Sequence, residues 1–169
     1  MRLKFATAAI AALTAVATLA YAQTDVIKTR QAFMQANQDA LDKMFAMADG
    51  SVSFDAAAVQ PALDKFAAGY ATLPSLFPGG SNAGDTAALP AVWSNNQAFV
   101  AMATKLSNDA KIAAAALTSR DALNGPELAA VARDCTNCHT QFRRIGPPGG
   151  GFKPGFGGPF PGGPPPRRP

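Results

Sequence analysis

The stretch "ARDCTNCHTQF" holds both cysteines of the chain and its only histidine within five consecutive residues. A Cys-x-x-Cys-His run is the attachment signature of c-type haem. On a helix, thiols three residues apart lie on one face. Both can therefore form thioethers to the two vinyl groups of one haem while the adjacent imidazole is presented to the iron. Other uses of these residues fit less well. A structural zinc site wants four ligands, and no second soft cluster exists to complete one. A dithiol redox centre normally sits at the start of a helix in a strand-containing fold, where the helix dipole lowers the thiol pKa. A disulfide at this spacing is geometrically poor inside a regular helix. Cys135, Cys138 and His139 thus point to one covalently attached haem c per chain. A haem-free helical protein with a Cys-x-x-Cys disulfide is the contrasting class, separated by the mass of the product.

Four amphipathic segments must carry this motif, each with the 3.6-residue apolar period of a helix. The first runs from about Asp25 to Asp49, with Phe33, Met34, Leu41, Met44 and Phe45 in phase and Gly50 as its stop. The second spans about Asp55 to Leu73, where Pro61 should kink the helix or delay its start. After the turn-rich "PSLFPGGSNAGD" a third helix is expected to begin just past Pro90 and carry Trp93, Phe99, Met102 and Leu106. The fourth begins at Pro126, a favoured first helical position. It takes Leu128, Val131, Cys135, Cys138, His139 and Phe142 along one side until Gly146 and Pro147 stop it. No segment alternates with period two, so an all-α, antiparallel four-helix bundle is expected, with almost no sheet.

The flanks differ in composition. Arg2 and Lys4, an apolar run from Phe5 to Leu19, and Ala20-Tyr21-Ala22 have the anatomy of a cleaved secretory signal over residues 1–22. This predicts a mature protein beginning at Gln23 and exported to the periplasm. Residues 146–169, beginning "GPPGGGFKPGFGG", are dominated by Gly and Pro and read as a disordered or polyproline-like extension. The domain between them, residues 23–145, has 10 Lys and Arg against 11 Asp and Glu, a net of −1. The basic pI of the whole chain therefore belongs to its ends and gives no argument for nucleic-acid binding.

The chain resembles the class II c-type cytochromes, typified by cytochrome c′. The likeness is carried by "CTNCHTQFRR", "VIKTRQAFM", "ALDKFAAGYATLPSLFP" and "LPAVWSNNQAF", and covers about residues 25–144. It implies an up-down-up-down bundle in which Cys135 and Cys138 hold the haem and His139 is its proximal ligand. Arg143 matches the family's basic residue in the continuation of the motif. An arginine four residues after His139 can cover the haem edge or pair with a propionate; a solvated helix end is the plainer reading. The resemblance also implies pairing of two copies through the first two helices.

The sixth position of the iron separates two functions. Met34, four residues after Arg30, matches the family's distal position. In the cytochrome c′ branch an apolar residue there crowds the iron and leaves it five-coordinate, whereas in a low-spin branch a methionine is the sixth ligand. "LPSLFP" resembles the low-spin branch and Arg30-Gln31 the other. A methionine ligand suits electron transfer with periplasmic or membrane-bound redox proteins. An open site suits small diatomic gases such as nitric oxide or carbon monoxide. Arg30 lies on a mostly apolar stripe, where a haem propionate would supply its anionic partner; reaching out to solvent is the alternative. No second histidine, paired carboxylates or phosphate-cradling loop proposes a substrate, so an electron carrier or gas binder is expected rather than an enzyme.

Overall fold

The computed structural model describes residues 3–144, with side-chain surroundings from Asp25 onward. The Gly- and Pro-rich stretch of residues 146–169 lies outside the described residues. Five α-helices follow in order: α1 (Leu3–Asp49), α2 (Ala56–Thr72), α3 (Ala91–Ser94), α4 (Asn96–Ala116) and α5 (Pro126–Phe142). Single 3-10 turns occupy Leu73–Leu76 and Asp121–Asn124. Helices α1, α2, α4 and α5 form the bundle. Among the described residues the only β feature is one antiparallel bridge between Ala88 and Arg143. No helix among them is long and apolar enough to cross a membrane.

The boundaries follow from local chemistry. Helix α1 extends back to Leu3 instead of starting at Asp25, through a run rich in Ala and Leu, both strong helix formers. Its end at Gly50 has φ +87°, a left-handed conformation that glycine adopts without strain. Helix α2 starts without delay because the Asp55 carboxylate accepts hydrogen bonds from the Ala57 and Ala58 N–H groups. Pro61 lies inside that helix, where it leaves the Ala57 carbonyl without its usual donor.

Two expected helices are shorter than their sequence patterns. The third breaks at Asn95, whose φ of −122° and ψ of 47° are not helical, leaving α3 as a single turn before α4. That turn is held to the preceding loop by Trp93, whose indole N–H donates to the carbonyls of Phe77 and Pro78, both at 3.1 Å. The fourth stops at Phe142, ahead of Gly146, because strand-like pairing replaces the helix there. The Leu89 N–H donates to the Phe142 carbonyl at 2.9 Å and the Arg144 N–H to that of Ala87 at 2.7 Å.

The core is concentrated where α4 packs against α2 and α5. Leu63, Leu117, Val131 and the alanines Ala110, Ala113 and Ala132 are wholly buried there. Small side chains bring the backbones close enough for the Ser107 hydroxyl on α4 to donate to the Ala67 carbonyl on α2 at 2.6 Å. At the surface the Lys105 ammonium lies 2.7 Å from both Asp109 and Asp134, linking α4 to α5 just before the motif. Helix α1 meets α2 at Gly69, where a Cβ would run into the Phe33 ring. Arg120 and Asn124 tie the far end of α1 to the base of α5 by donating to the Ala48 carbonyl. Along most of their lengths, however, α1 and α5 stand apart.

Candidate functional site

A cavity of about 500 Å³ lies between α1 and α5, backed by Tyr70 and Leu73 and by Phe99 and Leu106. That volume falls within the ~300–1,000 Å³ usual for cofactor and ligand pockets. All six residues singled out in the sequence line it: Cys135, Cys138, His139 and Arg143 from the end of the chain, Arg30 and Met34 from α1.

Helix α5 delivers its share through simple periodicity, since residues three and four apart share a face. Cys135 is buried, and Cys138 and His139 are half-buried. Burial pushes the Cys135 thiol up to about 12 and the Cys138 thiol up to about 11. Neither is a thiolate at neutral pH, the reverse of what dithiol exchange requires. Burial, and then the charge of Arg143, push His139 down to about 4. Its imidazole is therefore neutral at pH 7, the form that can ligate a metal.

Arg30 is the least expected of the six. It is only 5% exposed, so it does not reach out to solvent. Its guanidinium lies 4.4 Å from the centroid of the Phe77 ring, and Nη2 donates to the Ser81 carbonyl at 2.9 Å. Nε and Nη1 have no partner among the described residues. Desolvation lowers its pKa, yet a guanidinium stays protonated at any ordinary pH. A buried cation with unused N–H groups on a cavity wall calls for an anion in that cavity. A haem anchored through Cys135 and Cys138 brings two propionates, so the residues present fit this group.

Of the four methionines after residue 23, Met34 is the one that lines the cavity; Met44 and Met47 are buried in the core, and Met34 and Met102 both pack against it. The sequence reading did not single out Tyr70, Asn37 or Ser81. Tyr70 lines the cavity with its hydroxyl accepting from the Asn37 amide at 3.1 Å, and the Ser81 carbonyl fixes Arg30. The available signal was a polar group on an apolar stripe: Tyr70 in phase with Val59, Leu63 and Phe66, and Asn37 between Met34 and Leu41. Around the mouth, α1 presents Gln35 paired with Asp39 and Gln38 paired with Asp42, both at 2.8 Å.

A helical bundle whose last helix carries a Cys-x-x-Cys-His run into a cavity walled by the buried Arg30 defines a bundle-type haem protein. Residues 25–143 match the family described as Cytochrome C′, and the chain belongs to it. It is 37% identical over 145 residues to cytochrome c′ of Rhodopseudomonas palustris, a match spanning 85% of this chain and 97% of that protein. It is 34% identical to cytochrome c-556 of Agrobacterium fabrum, over the same shares of each. The solved structure of the R. palustris cytochrome c′ superposes with a TM-score of 0.68 at 34% identity, covering 73% of this chain and 98% of that one.

Proposed function

We propose that the protein is a periplasmic monohaem cytochrome that carries single electrons between redox proteins, with Met34 and His139 as the residues that would hold the iron. When bound, the haem supplies an iron couple that accepts and returns one electron. The protein's own residues prepare the site for it. Cys135 and Cys138 tether the ring edge, and His139 is held neutral and available. Arg30 offers two N–H groups to a propionate. Leu73, Phe99, Leu106 and Phe142 give the cavity an apolar wall for the ring to lie against. Residues 1–22 act as the export signal that brings the chain to the compartment where haem is attached.

The observation that carries this reading is the placement of Met34 in the cavity together with His139, whose lining includes none of Met44, Met47 and Met102. A thioether favours the reduced iron and limits rearrangement on electron transfer. The similarity to a cytochrome c-556 as well as to a cytochrome c′ makes the sixth position the point to test. The test is to produce the chain with haem-maturation machinery and record ferric and ferrous absorption spectra with and without carbon monoxide. A low-spin spectrum with the far-red ferric sulfur-to-iron band, lost in Met34→Ala, is expected. A high-spin spectrum that shifts promptly with carbon monoxide would instead make Met34 a steric gate and the protein a gas binder.

A further inference from the structure

Tyr70 stands on the cavity wall where α1, α2 and α5 converge. It is 6% exposed. Its ring is fixed by edge contacts to Phe33 and Phe66, at centroid distances of 5.2 Å and 6.2 Å. The phenol oxygen accepts a hydrogen bond from Asn37 Nδ2 at 3.1 Å, and Asn37 is itself 7% exposed. A phenol has one hydrogen to give. With the Asn37 amide as donor in this pair, the phenol hydrogen is left for another acceptor, and Cys135 lines the same cavity as Tyr70. Asn37 and Tyr70 thus form a buried hydrogen-bonded pair with a fixed polarity, in a cavity shared with Cys135, whose sulfur the haem reading makes part of the cofactor.

We propose that Tyr70, oriented by Asn37, is a positioning residue that donates to the Cys135 sulfur of the attached haem and thereby favours the reduced protein. This rests on the haem reading above. The positive end of the O–H dipole faces the cofactor, and in a poorly solvated interior such a dipole is weakly screened. It therefore stabilises the redox state with the smaller positive charge, in the way that hydrogen bonds around a redox centre tune its potential. Burial also holds the Tyr70 phenol well above its ordinary pKa, so the donor hydrogen stays in place across the working pH range.

The test uses the haem-loaded mature protein and reads its reduction potential by spectroscopic redox titration, with unfolding measured in parallel. Tyr70→Phe removes the hydroxyl but keeps the ring, and is expected to lower the potential while leaving the axial-ligand bands unchanged. Asn37→Ala is expected to lower it by less, and to add nothing in the Tyr70→Phe background. A third measurement does not depend on either variant folding. The chain has two tyrosines, Tyr21 and Tyr70, and Tyr21 falls in the signal, so fluorotyrosine incorporation labels Tyr70 alone in the mature protein. A fluorinated phenol is a stronger donor and should move the potential upward, opposite to Tyr70→Phe. An unchanged potential in Tyr70→Phe or in the fluorotyrosine protein, or an Asn37→Ala shift that persists in full without the hydroxyl, overturns the proposal. Wild-type protein lacking covalent haem would sink the haem reading itself, a separate result.

Discussion

The two long sides of this bundle are built from the same kind of amphipathic helix and end up in opposite conditions. Where α4 meets α2 and α5, small and branched side chains interlock to zero exposure, and one buried hydroxyl, Ser107, finds a carbonyl on the neighbouring helix. Where α1 faces α5, the helices stand apart around a cavity, and Nε and Nη1 of Arg30 have no partner among the described residues. Close packing of the first kind makes a side chain costly to shorten. The second side is incomplete as protein alone, which marks a place meant to be filled. Stability and function are thus held on different faces of one small domain.

That contrast can be broken at its strongest point first. Leu63→Ala on the packed side should cost about 2–5 kcal/mol of unfolding free energy, the usual range for truncating a buried leucine. Denaturant unfolding of the haem-loaded protein measures it; a loss below about 1 kcal/mol would show that this side is not the rigid one. On the open side, Arg30→Met should cost the haem-loaded protein more than the haem-free chain, by about 1.5–3 kcal/mol, the worth of hydrogen bonds to a charged group. Equal costs in the two forms would remove the propionate from the account. The smallest effect belongs to the surface link. Lys105→Met should change stability by less than about 1 kcal/mol, because an exposed ammonium gains little from its pairs. Raising the salt concentration should shrink even that difference.

The sequence made some of this legible and left the rest hidden for a physical reason. The 3.6-residue period located all four bundle helices, and one short motif placed Cys135, Cys138 and His139 on a single helix face. A periodic pattern reports which face of a helix is apolar, but not which neighbour that face meets. The break at Asn95 and the end of α5 at Phe142 are set by partners distant in sequence: the Phe77 and Pro78 carbonyls in one case, Ala87 to Leu89 in the other. Arg30 was visible as a charge out of place. Its burial, its stacking on Phe77 and its bond to a carbonyl 51 residues away were not. Asn37 and Tyr70 were hidden in the same way, each a single polar group on a stripe otherwise suited to the core.

Two facing walls of the cavity come from the two ends of the domain, residues 27–42 of the first helix and residues 135–143 in and just past the last, with α2 and α4 behind them. More than half of the chain separates them, so the contacts that create the site span the longest sequence distances in the fold, and closing them is entropically the most demanding step. A nascent chain that has not yet reached residue 143 has helices and can have a core, but it has no cavity. Neither does a copy clipped within α5. Haem held there therefore reports that the polypeptide was synthesised through to the end of its last helix and brought its two ends together.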